Sequence, residues 1–165
     1  MANLNHTIFD FSENSNISSW SVIGDVVMGG VSEGNFIINE NANGLYFGKV
    51  SLENNGGFSL LKYRFDVKNV LKYKKAVLKV KGDGKQYQFR IKDSCKNSHS
   101  YVKYFQTSED WQLIEINLAE MYPTYRGRKL DIGYFSSTVI EEIAILIGNK
   151  KEENFSLEID KIYLE

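Results

Sequence analysis

Short runs of β-branched, aromatic and alternating residues fill this chain, and clusters of glycine, asparagine and aspartate interrupt them at roughly ten-residue intervals. That rhythm predicts many short strands. In the clearest stretch, Ala76 to Lys92, Gly82-Asp83-Gly84 separates two alternating runs and supplies residues that tolerate positive φ, so the pattern predicts a β-hairpin. Ala76, Leu78 and Val80 share one face of the first arm, and Tyr87, Phe89 and Ile91 share one face of the second. Lys79, Lys81, Gln86, Gln88 and Arg90 fall on the opposite faces, which are therefore solvated or used for binding. Further strands are expected at Ile8 to Phe11, Asn35 to Ile38, Leu45 to Ser51, Phe58 to Phe65, Tyr101 to Gln106, Trp111 to Asn117, Ile140 to Ile147 and Phe155 to Leu164. Helical turns are expected only at Val67 to Tyr73 and Leu118 to Met121, both too short to be stable alone. Many short strands with frequent turns bury their apolar faces most simply sheet on sheet, so the pattern predicts an all-β sandwich of two antiparallel sheets.

Composition narrows the function more than the fold. A chain of 165 residues with 42% hydrophobic content can bury one sizeable core, and no repeat or linker divides it, so a single domain over residues 1 to 165 is expected. Lys plus Arg number 20 against 21 Asp plus Glu, and a net charge near zero gives no global field toward nucleic acid or an anionic membrane. The short lysine run at Lys68, Lys72, Lys74 and Lys75 is read as a solvated face, since nucleic-acid binders carry a larger basic footprint. The start of the chain reads as neither a secretion signal nor an anchor, and no apolar run reaches membrane-spanning length. A cytoplasmic location without membrane insertion is expected. Cys95 is the single cysteine, which excludes an intrachain disulfide. His6 and His99 are the only histidines, which argues against a zinc site.

The segment Trp20-Ser21-Val22-Ile23-Gly24-Asp25-Val26-Val27-Met28-Gly29-Gly30-Val31-Ser32-Glu33-Gly34 places a tryptophan before an Asp-x-Val-Met-Gly-Gly-x-Ser stretch. Downstream follow Phe47 to Phe58 with Asn54-Asn55-Gly56-Gly57, then Gly82 to Tyr87, Phe105-Gln106-Thr107 with Trp111, and Pro123-Thr124-Tyr125-Arg126-Gly127-Arg128. In order and spacing these resemble the complex I intermediate-associated protein 30 family over nearly the whole chain. The resemblance implies a galactose-binding-like jelly-roll β-sandwich. Mitochondrial members assist assembly of respiratory complex I, and this chain resembles the shorter, stand-alone bacterial-type members. It departs from the family in lacking a mitochondrial extension and in carrying Lys62 where an arginine is expected.

Two readings stand open for each candidate site. Asp25, Met28, Gly29, Gly30 and Ser32 combine a carboxylate, a thioether and glycines in one turn, which suits close approach of a ligand to backbone N–H groups and equally suits internal turn bonding. Asn54 and Asn55 have the same two readings. Arg90, Arg126 and Arg128 suit carboxylates or phosphates, and with Tyr87, Trp111 and Tyr125 nearby they would form an aromatic and arginine groove for a sugar, an acidic peptide or an unstructured protein segment. Alternatively Arg126 pairs with Asp25 or Asp83 to brace two loops. The Asp25 to Ser32 loop and the Pro123 to Arg128 segment are expected to lie close together, with Asp25, Arg90 and Arg126 supplying the charges of one site.

Other constellations are weaker. Gly82-Asp83-Gly84 lacks the third glycine and the βαβ context of a nucleotide site. Cys95 and His99 have no evident third group for thiol catalysis. Asp10, Glu13, Glu158 and Asp160, near termini that often meet in such sandwiches, are oxygen donors suited to calcium, or simply a wet strand face. No cofactor or metal is expected. Three functions follow: a non-catalytic module that binds another protein, as an assembly factor or chaperone; a carbohydrate-binding module; and an enzyme using Asp25 and Asp83 with arginine assistance. The protein-binding module is the leading expectation, the carbohydrate module its alternative, because no recognisable acid, base and nucleophile constellation supports catalysis.

Overall fold

The computed structural model describes residues 5–25 and 29–165. Among the described residues thirteen strands succeed one another: β1 (His6–Asp10), β2 (Trp20–Gly24), β3 (Glu33–Ile38), β4 (Gly44–Val50), β5 (Ser59–Asn69), β6 (Lys75–Lys81), β7 (Gln86–Lys92), β8 (Ser100–Gln106), β9 (Trp111–Asn117), β10 (Tyr122–Tyr125), β11 (Arg128–Lys129), β12 (Val139–Ile147) and β13 (Glu153–Leu164). A six-stranded sheet has the order β3-β4-β13-β6-β9, and β1 also pairs with β13; a seven-stranded sheet has the order β11-β10-β8-β7-β12-β5-β2. Every pairing is antiparallel. The expected two-sheet all-β sandwich is the fold.

Alternation places the core. Leu78, Val80, Phe89, Ile91, Leu157 and Ile159 each retain 1% exposure or less and face one another between the sheets. Along β13 the buried set switches from Phe155, Leu157 and Ile159 to Ile162 and Leu164, and the register shift between Ile159 and Lys161 explains the change of parity. An inserted residue turns every later side chain over, so the bulge keeps both halves of a long strand facing the core. A shift between Ile140 and Glu142 does the same for β12, where Ile140 is followed inward by Ile143, Ile145 and Ile147. At one side of the core Trp20 stacks on Tyr63 with ring centroids 4.6 Å apart and packs against Phe9, Phe11 and Phe36.

Two local expectations are corrected. Ala76 to Lys92 is not a hairpin: β6 lies between β13 and β9 in one sheet, and β7 lies between β12 and β8 in the other. Both edges of each strand are already occupied, so Gly82 to Lys85 carries the chain across the sandwich. Asp83 fastens that crossing, accepting hydrogen bonds from the Ser156 backbone N–H at 2.8 Å and the Tyr87 hydroxyl at 3.1 Å. Val67 to Tyr73 forms no helix: β5 continues extended through Asn69, and Val70 to Tyr73 then closes one isolated turn in which Tyr73 N donates to Val70 O at 3.0 Å; Leu118–Glu120 does form a 3-10 turn. Strands β2, β10 and β11 lie in segments rich in turn residues, and their alternation is too short to be read from the sequence.

Candidate functional site

The outward face of the seven-stranded sheet is built in register rows. Ile23, Leu60, Leu146, Gln88 and Tyr104 are successive cross-strand partners in one row; Ser21, Lys62, Ala144, Arg90, Val102 and Tyr122 form the next. In a third, Arg64 and Lys92 flank Glu142, whose Oε1 accepts from Arg64 Nε at 2.9 Å. Over the first two rows lies a cleft of about 960 Å³. Leu60, Leu146, Gln88, Arg90, Val102 and Tyr104 form part of its floor, Gly57 and Phe58 part of one wall, and Arg126, Gly127 and Lys129 part of another. Neighbouring concavities of about 510 and 360 Å³ share Gly148 with it, one carrying Lys85, Lys150 and Lys151 and the other Leu52 and Lys150.

Arg90 is the central charged group. Its Nη1 donates to Gln88 Oε1 at 2.8 Å, while Gln88 Nε2 donates to the Tyr104 hydroxyl at 3.0 Å. Burial pulls the guanidinium pKa down, and the nearby Tyr104, Glu142 and Tyr122 oppose this without cancelling it. Burial likewise pushes the Tyr122 phenol up, as does Tyr104 beside it. At the rim, the β10–β11 turn places both Arg126 (φ 49°) and Gly127 (φ 77°) at positive φ, the requirement of a type I′ hairpin turn. The Arg126 guanidinium lies 5.2 Å from the Tyr125 ring centroid, and Lys129 Nζ lies 5.3 Å from Tyr122 and 5.5 Å from Tyr134.

The expected site residues separate in space. Arg90 and Arg126 line this one cleft, as does Gly57 beside the Asn54-Asn55 turn. Asp25 stands behind the Gly57 and Phe58 wall with 0% exposure. Its Oδ2 accepts from Ser32 Oγ at 2.5 Å, Gly57 N at 2.6 Å and Phe58 N at 3.3 Å, and its Oδ1 accepts from Ser32 N at 3.0 Å. Burial by itself would raise this carboxyl pKa; the bonds from Ser32, Gly57 and Phe58 outweigh it and hold the group below the usual carboxylate range. Ser32 Oγ in turn accepts from Ser51 N at 2.9 Å. A Cβ on Gly30 or Gly56 would overlap the Asp25 carboxyl, so both glycines are walls of this internal knot, and Gly29 (φ 87°) makes the preceding turn. Asn54 (φ 55°) is an exposed turn residue. Met28 and the side chain of Asn55 lie outside the described residues.

The aromatic and arginine groove expected around Tyr87, Trp111 and Tyr125 is corrected in its membership. Tyr87 faces the core at 1% exposure, and Trp111 lies on β9 at the edge of the other sheet, 6.0 Å from Lys79 Nζ. Tyr104 and Tyr122 supply the rings of the cleft instead. Sequence reading missed them because alternation gives the face of a strand and not which sheet it joins. Arg126 makes no ion pair with Asp25 or Asp83. Arg128 is exposed on β11 between Gly127 and Lys129 and does not itself line the cleft.

The chemistry of the remaining candidates is local. Burial raises the Cys95 thiol pKa, and its backbone N–H donates to Glu141 Oε2 at 3.2 Å. Asp160 pairs with Lys79 at 3.1 Å, and Glu158 accepts from Asn43 Nδ2 at 2.7 Å. Among the described residues no group of three or more His, Cys, Asp and Glu could hold a metal ion. No helix among them is long and apolar enough to cross a membrane.

In structure the chain is similar to a family 11 carbohydrate-binding module from Clostridium thermocellum, solved with a β-1,3-1,4-mixed-linked tetrasaccharide: TM-score 0.72, 15% identity, 97% of this chain and 94% of that one covered. It is also similar to part of an exo-β-agarase, with TM-score 0.61 and 11% identity, covering 97% of this chain and 24% of that one. A family 4 carbohydrate-binding module matches with TM-score 0.54 and 10% identity over 97% of this chain and 95% of the other. At these identities the likeness concerns the fold. No curated protein matches in sequence. The sequence profile of complex I intermediate-associated protein 30 matches residues 9–159, and the chain belongs to that family.

Proposed function

We propose that this chain is a non-catalytic recognition module that holds an extended segment of another protein across the seven-stranded sheet, in the manner of an assembly factor. The observation that carries the proposal is the cleft itself: an open trough of about 960 Å³ on a rigid sheet, with Arg90 and Tyr104 on its floor and Arg126 and Lys129 on its rim. Rigid sheet faces suit such a role because their donors are held in place before the ligand arrives, so little ordering opposes binding. Membership of the complex I intermediate-associated protein 30 family supports a protein partner. The test is a photocrosslinking amino acid at position 104 in the native host, with the same group at position 111 as control. Capture of one protein from position 104 and none from position 111 is the expected result; equal capture from both faces would overturn the proposal.

A second reading, a carbohydrate-binding module, is favoured by one observation. Tyr104 keeps 43% of its surface exposed beside the hydrogen-bonding groups of Gln88, an arrangement suited to a sugar ring, on a fold shared with a module solved with a tetrasaccharide. Calorimetric titration with mixed-linked β-glucan and agarose oligosaccharides tests it: saturable binding lost in Tyr104→Ala supports it, and no heat in either titration excludes it for these sugars.

A further inference from the structure

We infer that the cleft takes an acidic segment of its protein partner, with carboxylates meeting Arg90 on the floor and Arg126 and Lys129 on the rim. This rests on the protein-binding reading above and adds the chemistry of the partner. Charge carries the argument. The residues lining the cleft include three cations and no aspartate or glutamate, although the chain as a whole has a net charge of −1. Among the described residues Arg90, Arg126 and Lys129 make no ion pair with a carboxylate, so the charge they bring to the cleft is not cancelled there. Arg90 is the most consequential of these. A guanidinium has five N–H donors, and among the described residues one of them, on Nη1, reaches a protein acceptor. Its cross-strand neighbours on this face, Ala144 and Val102, have no side-chain acceptor to offer. A partly desolvated cation with unused donors is stabilised by a ligand that brings negative charge and acceptors, and a carboxylate does both.

The same geometry selects a peptide over an acidic polysaccharide. Of the cleft's two tyrosine rings, Tyr122 is already engaged by Lys129 at 5.3 Å, which leaves Tyr104 alone of the two to stack on a sugar, and Arg126 is held 5.2 Å from Tyr125 beside the cleft. These contacts hold the cations at the rim. The cleft also borders, at Gly148, the concavity lined by Lys150, Lys151, the Asp83-paired Lys85 and Glu153, a length that fits an extended chain better than a single small anion.

The test uses the intact chain with a fluorescein-labelled Glu-Gly-Ser repeat peptide and its Gln-Gly-Ser counterpart, read by anisotropy. The Glu peptide is expected to bind at least about tenfold tighter, with an affinity that falls as salt rises. Arg90→Gln, Arg126→Asn and Lys129→Gln are each expected to weaken it several-fold. Asn tolerates the positive φ at position 126, so the turn is kept, and the two rim variants carry the test should Arg90→Gln not fold. Equal binding of the two peptides would overturn the acidic assignment and leave the protein-binding reading standing. Absence of peptide binding with saturable binding of the mixed-linked tetrasaccharide would overturn both. Binding of oligogalacturonate without the Glu peptide would show an acidic-sugar cleft and overturn the peptide assignment.

Discussion

Asp25 shows how a motif that looks like a site can serve as a brace. Its two oxygens accept four hydrogen bonds from Ser32, Gly57 and Phe58, and Gly30 and Gly56 are glycines because the carboxyl occupies the space where a Cβ would be. The brace fixes the Gly57 and Phe58 wall, so it bears on the cleft without touching a ligand there. Asp25→Ala strands these donors, and a loss of about 2 to 4 kcal/mol is expected in urea unfolding at neutral pH, since bonds to a charged group contribute more than neutral ones. Because the folded-state pKa is depressed, the stabilisation is full above the unfolded carboxylate pKa and disappears as pH falls through the lower folded value. Unfolding followed from neutral to acid pH should therefore show a shallower acid loss in Asp25→Asn than in the parent. Gly30→Ala should cost about 1 to 3 kcal/mol in the same assay, because the added methyl displaces the carboxyl it would overlap.

At the scale of elements, the crossing from β6 to β7 decides which residues are exposed together. Had the two strands paired, Lys79, Lys81, Gln88 and Arg90 would share one wet face; instead the lysines lie on the six-stranded sheet, and Gln88 and Arg90 lie in the cleft. Two substitutions separate the faces. Phe89→Ala, inside the core at 0% exposure, should lose about 3 to 5 kcal/mol by chemical denaturation, as buried aromatics do. Trp111→Ala, at 41% exposure on β9, should change stability by less than about 1 kcal/mol and leave peptide affinity unaltered, since it is on the other sheet. A loss of affinity in Trp111→Ala would move the binding face from the cleft to the six-stranded sheet.

For the whole molecule, near-neutral charge hides an uneven distribution. Lys75 pairs with Glu115, Lys79 with Asp160 and Lys103 with Glu120 at the surface, while the cleft lining holds three cations and no carboxylate. Field lines concentrate in such a trough, which favours capture of an acidic chain at low salt. Stability rests on the shared core between the sheets. One cooperative thermal transition is expected, with a midpoint unchanged by chelator or reductant, because no metal cluster stands among the described residues and the single cysteine closes no loop. A drop with chelator would point instead to Asp10, Glu13, Glu158 and Asp160.

Alternation of apolar and polar residues determined the longer strands, their buried faces and the sandwich, because burying one face of such a strand is a demand its segment states locally. The Trp20 to Gly34 signature pointed to the family, and four of its described residues are architectural: Trp20 stacks on Tyr63, and Asp25, Gly30 and Ser32 meet in a buried knot. Tertiary structure decided the rest. Whether Gly82 to Lys85 is a hairpin or a crossing depends on which strands already occupy the edges of β6 and β7, and those strands, β9, β13, β8 and β12, are distant in sequence. Tyr104 and Tyr122 join Arg90 in one cleft, while Tyr87 and Trp111 do not, for the same reason: alternation assigns a side chain to a face, and only the long-range register assigns that face to a neighbour.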